Sequence, residues 1–447
     1  MLSLEEAQSR AQDLVTAARK AGADAADAIY ACNASTTVAV RLGALEDVER
    51  SEGEEIGLRV FIGQRSASIS ASDMNPATLA TLIDRSIAMA REAPEDPYAG
   101  LAPEDRLLRK RAPSLDLVDE EEPEPAALRE RALIAEEAAR SNPGITNSEG
   151  AGVSAQQSHF FSAHTNGFRG GYASSRHSLS VAPIASLPGR NGEMQRDAWY
   201  SSMRNAADLA SPEAVGRYAA QRALSRLGSR KIPTTECPVL FESTLAAGLL
   251  GSFVQAVSGG ALYRRSTFLL DSLGKPVFPK HIDITEDPFI LGGKGSSPFD
   301  EEGVRVQARK VVDAGRVEGY FLSSYSARKL GMKTTGNAGG SHNLVMTSRR
   351  TKAGDDLPAM LKKLGTGLFV IELMGQGVNY VTGDYSRGVS GFWVENGEVA
   401  FPVHEITIAG NLKDMLKGIE AVGADAYNYG AKTVGSILIN RMKVAGS

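Results

Sequence analysis

Short apolar runs alternate with turn residues between positions 365 and 412, and this is the most regular pattern in the chain. The hydrophobic positions that predict three strands here are Phe369, Ile371, Leu373, Phe392, Val394, Val403 and Ile406. Asn396 and Gly397 separate the last two strands and predict a type I′ hairpin turn. Five glycines between positions 375 and 391 permit positive φ angles or the close approach of another molecule. We therefore expect the segment between the first two strands to form a binding surface.

Helices and strands occur in separate blocks through the first 228 residues. Ser3 and Glu6 predict a capping box at the start of a helix that ends at Gly22. Further helices are predicted over 76–93 and 126–140 because apolar residues recur there at helical spacing.

Strand patterns fill the intervals between these helices. Alternation predicts hairpin-like runs over 27–42 and 55–72, of which the second turns at Gly63. A further strand-rich segment covers 151–186, with a turn at Asn166-Gly167. Long antiparallel strands are therefore expected beside the helices.

Two domains are predicted, over residues 1–228 and 229–447, because 47.4 kDa is too large for one ordinary core. The boundary is SRKIPTTECP, residues 229–238. A strand over 239–242 then leads into a helix over 243–258. The fold class is α+β: an N-terminal domain of helices and antiparallel strands precedes a C-terminal β-rich domain with a buried helix.

Composition narrows the classes of function. A net charge of −4 and a pI near 6.0 argue against direct binding of nucleic acid. No apolar run is long enough to span a membrane, and the first helix is amphipathic, unlike a signal peptide. Cys32 and Cys237 are too few for a disulfide framework and form no CxxC motif. We expect a cytoplasmic protein without membrane contact, in which the Pro-rich, charged stretch 94–125 is a solvated surface connection.

Three segments resemble, in the same order, the signature sequences of the TldD/PmbA family of bacterial peptidases. They are SPFDEEGV (297–304), SYSARKLGMKTTGNA (324–338) and TGDYSRGVSGFWVENGEVAFPVHEITIAGNL (382–412). The residues in these segments resemble those of PmbA-type (TldE) subunits. The likeness covers most of the chain, and three ordered motifs make it specific.

Zinc-dependent members of that family carry HExxxH on a helix, with two histidine ligands, a glutamate base and a third ligand from the C-terminal sheet. Alignment on the pattern around Tyr263 places Gly251, Ser252 and Ala256 at the His, Glu and His positions. Glycine and alanine cannot bind a metal, and serine is a poor substitute for the base. The resemblance therefore implies that this chain has no catalytic residue, metal or cofactor, and we expect a buried core helix here.

The six histidines suggest no other ligand set. His404 begins the one His-Glu pair, which completes neither HExxH nor HExxxH. His159 and His164 differ by an odd offset and are predicted to point to opposite faces of a strand. The remaining histidines are well separated in the sequence, at His177, His281 and His342.

Other glycine-rich segments are incomplete motifs. GGKGSS (292–297) lacks the spacing of a P-loop, and GTGLFV (365–370) lacks the third glycine of a dinucleotide loop. GVSG (388–391) is one residue short of the nucleophile motif GxSxG. We interpret each segment as a turn.

The resemblance implies a metal-free subunit that pairs with a TldD-type, zinc-containing partner to cleave unfolded peptides. Family members are linked to maturation of microcin-type peptides, to antitoxin turnover and to modulation of DNA gyrase. An extended peptide can add as a strand to a sheet edge, and the glycine-rich C-terminal sheet would provide one wall of such a groove. Asn379, Asp384 and Arg387 are candidate peptide or partner contacts. Hydrogen bonds within a turn are the other interpretation of these three residues.

Two other functions stay open at this point. The chain is alternatively a homodimeric peptide-binding or regulatory protein of the DNA gyrase modulator type, acting without a peptidase partner. It is also open that the chain is itself a hydrolase with an unrecognised site. Purification from the native cell in complex with a homologue that carries HExxxH would favour the peptidase subunit.

Overall fold

In the computed structural model, which describes residues 2–187 and 193–446, the first half of the chain forms one antiparallel sheet. Its strands are β1 (Ala25–Arg41), β2 (Ala44–Ile62), β3 (Arg65–Ala71), β4 (Ile145–His164), β5 (Arg169–Ser186), β6 (Met194–Arg196) and β7 (Trp199–Met203). They lie in the order β3-β2-β1-β4-β5-β6, and β7 also pairs with β5. Among the strands described, none pairs with the outer side of β3, which is thus an end strand.

Helices cover one face of this sheet. They are α1 (Leu4–Lys20), α2 (Pro76–Glu92), α3 (Pro125–Arg140) and α4 (Pro212–Ser225). Buried residues alternate with less buried ones along β1, from Ala26 to Val40, as expected for a strand with helices on a single side. α1 and α2 pack around Tyr30, whereas α3 and α4 pack around Val38. The opposite face of β1 stays open, and Ile29 there is 43% exposed.

The second half of the chain contains two further sheets. Its helices are α5 (Ser243–Ala256), α6 (Gly259–Tyr263), α7 (Ser324–Lys329), α8 (Leu357–Leu364) and α9 (Leu412–Lys417). Its strands are β8 (Thr235–Phe241), β9 (Ile282–Asp287), β10 (Arg309–Asp313), β11 (Arg316–Val317), β12 (Asn343–Ser348), β13 (Gly367–Met374), β14 (Asp384–Glu395), β15 (Glu398–Asn411), β16 (Ile419–Val422), β17 (Tyr427–Tyr429), β18 (Lys432–Val434) and β19 (Ile437–Ala445).

One sheet has the order β11-β10-β9-β12-β18-β17. The other has the order β15-β14-β13-β8-β19-β16, and β15 also pairs with β19. This last pairing closes five strands into a barrel. Along its paired length, a closed barrel leaves no strand edge for another chain.

α5 lies between these two sheets and carries much of their common core. Leu250 and Phe253 of α5 pack in one cluster with Val239 of β8 and Ile284 of β9. The prediction of a buried helix is therefore correct for most of its surface. One side is open, because Gly248 and Gln255 are exposed.

Several local predictions are confirmed. Ser3 forms the capping box with Glu6, and the chain turns at Gly63 with a φ of 58°. Asn396 and Gly397 have φ angles of 54° and 81°, as a type I′ turn requires. The α+β class is also confirmed, with the first sheet drawn from residues 25–203 and the other two from 235–445. The division into two domains at residue 229 stays a prediction.

The expectation of a solvated surface connection over 94–125 is wrong in part. Its charged and proline positions are largely exposed, but Leu107 is 2% exposed and forms a β-bridge with Val304. The carbonyl of Leu115 accepts the N–H of Gly292 at 2.8 Å. The leucines bury themselves between the two halves of the chain because this removes apolar surface from water. The connection therefore joins the halves instead of bypassing them.

Within residues 2–187 and 193–446, no helix is both long and apolar enough to cross a membrane.

The pairing of β13 with β14 leaves no space for a side chain at Gly391. A Cβ atom there would lie 2.0 Å from the carbonyl oxygen of Phe369. We expect Gly391→Ala to lower the free energy of unfolding by about 1–3 kcal/mol, because the strands must separate to admit the methyl group. Gly354→Ala is the matched control, since a Cβ at Gly354 meets no atom within 4 Å. Urea denaturation of both variants tests this, and equal stabilities would contradict it.

Candidate functional site

A groove of about 810 Å³ lies between the open face of the first sheet and the second half of the chain. The floor is the face of β1 to β5 that points away from α1 and α2. The wall consists of residues 297–301 and 338–342. The first of these segments lies within SPFDEEGV, and the second begins at the last residue of SYSARKLGMKTTGNA. Two of the three signature segments therefore meet at one groove, which the sequence patterns alone did not indicate.

Asp300 holds the two wall segments together. Its carboxylate accepts the N–H groups of Glu302 and Val304, both at 2.9 Å, and that of Ala338 at 3.1 Å. Asp300 is 3% exposed. Burial and then the neighbouring Glu302 raise the pKa of Asp300 to about 7, whereas the three N–H donors oppose this rise. The side chain thus fixes the backbone of both wall segments from inside the protein.

A second buried carboxylate, Glu286 of β9, positions the end of the wall. It is 1% exposed and pairs with Arg309 at 2.7 Å. It also accepts the side-chain N–H of Asn337 at 2.7 Å and the backbone N–H of His342 at 2.9 Å. Breaking such a buried pair would leave an uncompensated charge. The cost of doing so favours this one arrangement of the residues.

The floor of the groove presents apolar and polar groups side by side. Ile29 is exposed there, and Asp27 forms an ion pair with Arg59, whose Nε lies 3.1 Å from the carboxylate. Seven serines line the groove, namely Ser68, Ser70, Ser158, Ser162, Ser174, Ser297 and Ser341. Hydroxyl groups both donate and accept hydrogen bonds, so they can pair with either group of a peptide backbone.

His164 lies at the groove as a neutral base. It is 5% exposed, and its Nε2 lies 2.8 Å from the hydroxyl of Ser162, which in turn donates to the carbonyl of Ala28 at 3.2 Å. Burial lowers the pKa of His164 to about 4. His159 instead contacts Cys32 at 3.1 Å, so the two histidines share no partner.

The outer edge of β3 borders the groove, where Ser68 and Ser70 line it. The sequence of β3, RSASISA, contains one charge and no proline. Charges and prolines often protect an end strand, and β3 carries only the charge of Arg65.

The α5 positions aligned with HExxxH do not form a metal site. Ala256 is fully buried, and the hydroxyl of Ser252 donates to the carbonyl of Gly248 at 3.1 Å. A Cβ at Gly251 would lie 3.5 Å from Cε of Lys432, so an ammonium group adjoins the position of the first ligand. In the part of the chain that the structure describes, no group of three or more His, Cys, Asp and Glu residues could hold a metal ion. The residues present here do not fit zinc.

The three predicted contact residues lie outside the groove. Asn379 accepts the N–H groups of Val381 and Thr382 at 3.0 and 3.3 Å. The carboxylate of Asp384 accepts the Thr382 hydroxyl at 2.7 Å, and this bond holds the pKa of Asp384 below its usual value. Both residues therefore stabilise a turn. Arg387 lies beside Tyr385, and its buried Nε has no hydrogen-bond partner. Their role in binding stays a prediction.

The glycine-rich segment before β14 pairs with that strand. The N–H of Ser386 donates to the carbonyl of Gly377 at 2.7 Å, and the N–H of Asn379 donates to the carbonyl of Asp384 at 2.8 Å. A Cβ at Gly377 would lie 1.6 Å from the carbonyl oxygen of Ser386. Close approach within the chain thus accounts for this glycine. The segment covers the edge of β14 that would otherwise accept a peptide.

Acid should destabilise the fold through His164. Its pKa is about 4 when folded and about 6.5 when unfolded, so its contribution to stability is complete above about pH 6.5 and is lost as the pH falls towards 4. His164→Gln should reduce the loss of unfolding free energy between pH 7 and pH 4.5 by about 2–3 kcal/mol. His404→Gln, at a half-buried histidine outside the groove, is the control. Denaturant titrations at both pH values measure the difference, and identical pH profiles for parent and His164→Gln would refute the assignment.

Comparison with known families covers nearly the whole chain. The models described as PmbA/TldA metallopeptidase domain 1, central domain and C-terminal domain match residues 26–90, 118–227 and 234–446. Metalloprotease PmbA of Escherichia coli O157:H7 is 44% identical over 444 residues, which is 99% of this chain and 96% of that protein. A metalloprotease PmbA homologue of Haemophilus influenzae is 41% identical over 445 residues, again 99% and 96%.

Solved structures have the same fold. A protein named as a modulator of DNA gyrase from Bacteroides thetaiotaomicron superposes with a TM-score of 0.92 at 27% identity and covers all of both chains. TldE from Thermococcus kodakarensis superposes with a TM-score of 0.84 over 98% of this chain and 100% of that chain, at 19% identity, which shows the fold alone. Matches along nearly its full length therefore show that this chain belongs to the PmbA/TldD family.

Proposed function

We propose that this chain is the non-catalytic, metal-free subunit of a TldD/TldE-type cytoplasmic metalloprotease that degrades or processes unfolded peptides. The observation that carries the proposal is α5, which has the place of the zinc helix but none of its ligands. Gly251 and Ala256 offer no metal-binding atom, and the Ser252 hydroxyl is occupied by the helix backbone. The names of the relatives, metalloprotease PmbA, support a role in proteolysis.

A zinc-bearing partner completes the proposal. Hydrolysis needs three protein ligands, an open position and a base, and this chain supplies none of them at α5. Cys237, which is buried on β8, precedes α5 and does not replace the ligand from the C-terminal sheet. TldD-type homologues exist: the metalloprotease TldD homologue of Buchnera aphidicola is 25% identical over 215 residues of this chain. In this proposal the partner carries out the hydrolysis.

Substrate binding is the part that this chain would contribute. The groove offers hydroxyls, one ion pair and exposed apolar surface, which together suit the backbone and mixed side chains of an extended peptide. A folded domain is too wide for a groove of about 810 Å³. This geometry supports selection of substrates by disorder, because an extended chain fits the groove.

A homodimeric regulator is the second candidate. It is favoured by the relative from Bacteroides thetaiotaomicron, which is named as a modulator of DNA gyrase. The net charge of −4 favours contact with another protein over contact with DNA. Association with a TldD-type chain distinguishes the two candidates, since a homodimeric regulator needs no such partner.

Mixing experiments test the proposed function. We expect this chain alone to leave an unfolded peptide intact and a mixture with a TldD-type protein to cleave it, because only the partner carries a metal-bound water. A chelator should abolish the cleavage. The matched control is a partner in which the glutamate of HExxxH is replaced by glutamine, which should be inactive in the same mixture. Chelator-resistant cleavage by this chain alone would overturn the proposal.

Restoring the motif should not restore a zinc enzyme. We expect the variant Gly251→His, Ser252→Glu, Ala256→His to bind zinc weakly at best and to show no cleavage. Histidines at i and i+5 of a regular helix point about 140° apart, and Lys432 repels a cation at the first position. A histidine at the fully buried Ala256 overpacks the core by about 1–3 kcal/mol.

Calorimetric zinc titration, melting temperature and peptide cleavage measure the outcome for this triple variant. Gly251→His alone is the control, because it adds one ligand on the open side of α5 without filling the core. Nanomolar zinc affinity with turnover would contradict the prediction and show that the scaffold of the metal site is intact.

A further inference from the structure

Three cations lie near one another just beyond the end of the groove that Tyr172 and Ser297 line. Arg176 lies four residues after Tyr172 on the same face of β5 and is exposed. Arg204 follows β7, and Lys294 belongs to the GGKGSS segment that ends at Ser297. We call these three residues the cation cluster.

Neutral backbone carbonyls hold the cation cluster in place. Arg204 donates to the carbonyl of Ser175 at 3.0 Å and to the carbonyl of Lys294 at 2.9 Å. The ammonium group of Lys294 donates to the carbonyl of Asn428 at 3.3 Å. Among the described residues, the buried Nε of Arg204 has no hydrogen-bond partner. Neutral groups therefore position Arg204 and Lys294.

Within residues 2–187 and 193–446, none of the three cations pairs with a carboxylate. Burial lowers the pKa of Lys294, and Arg176 and Arg204 lower it further. Burial also lowers the pKa of Arg204, with Arg176 adding to the effect. Like charges held together in a partly buried place cost free energy that a bound anion would offset.

The surroundings of the cation cluster indicate where an anion would enter. Burial raises the pKa of Tyr172. The charge of Arg204 opposes this rise, and the carboxylate of Glu301 adds to it. Tyr172 and Ser174 line the groove, and Arg176 is the next residue on the same face of β5, so the cation cluster lies just beyond this end of the groove. From β3 to β5 the floor crosses four strand spacings, roughly 19 Å, which about six extended residues would span.

We propose that the cation cluster binds the C-terminal carboxylate of an extended peptide that crosses the groove from β3 to β5. This inference rests on the proposed function, because it specifies how the peptide is held. A terminal carboxylate is the one anion that every unfolded peptide carries. Its capture makes no demand on sequence, in keeping with the serine-rich floor. Guanidinium and ammonium groups bind a carboxylate through charge-assisted hydrogen bonds.

Fluorescence anisotropy with labelled, unstructured peptides tests the proposal on the full chain. One peptide without acidic side chains is made with a free C-terminal acid and with a C-terminal amide. A third form is amidated and carries an internal glutamate. We expect the acid to bind roughly 10-fold more tightly than either amide. The preference should weaken at high salt, since the cations are partly exposed.

Variants assign the preference to the cation cluster. Arg176→Gln and Lys294→Gln should each remove most of the difference between acid and amide. Arg176 is exposed, so its variant should fold as the parent does. If Lys294→Gln is unstable, the binding preference of Arg176→Gln tests the assignment to the cation cluster. Lys413→Gln on α9 is the control, because this exposed lysine lies outside the groove.

Four outcomes would overturn the inference. They are equal binding of acid and amide, a preference that survives both variants, tight binding of the amidated glutamate peptide, and no binding of any peptide. Failure of the proposed function is a separate result, since it is the absence of cleavage when this chain is mixed with a TldD-type partner. A mixture that cleaves the peptide although acid and amide bind equally would keep that function and reject the carboxylate site.

Discussion

Two buried carboxylates determine the geometry on which the groove depends. Glu286 and Asp300 are almost inaccessible to water, and each is satisfied by groups that come from the wall segments. Burying a carboxylate without partners costs free energy. The contacts that each of these two carboxylates makes therefore stabilise the folded wall. Asp300 belongs to SPFDEEGV, and Asn337, a partner of Glu286, belongs to SYSARKLGMKTTGNA. Two of the segments that resemble family signatures thus support the wall of the groove.

The chain combines a tightly packed helix, α5, with an open groove. At α5, small and apolar residues let the helix pack between two sheets, and Lys432 stands beside the place of the first ligand. At the groove, polar residues stay accessible because the first sheet has helices on one face only. The polar groups that are accessible in this region therefore lie on the first sheet and not on α5.

Local features of the fold were predictable from the sequence, and the groove was not. Ser3 and Asn396 act through neighbours a few residues away, so caps and turns follow from short patterns. The groove draws on strands near residue 29, on β4 and β5, and on segments near 300 and 340. No periodicity relates such distant positions. The buried leucines of 94–125 were missed for the same reason, because Leu107 meets its partner Val304 only in the folded chain.

The bridge between Leu107 and Val304 has a consequence for synthesis on the ribosome. The first sheet can form as soon as residue 203 has emerged, but Leu107 and Leu115 meet their partners Val304 and Gly292 only later in synthesis. Synthesis proceeds at ~5–20 residues per second, so on the order of 10–40 s pass between the synthesis of Leu107 and that of Val304. Exposed apolar side chains in a half-made protein attract chaperones and other nascent chains. The first half of this chain therefore completes its contacts only when the second half has been synthesised.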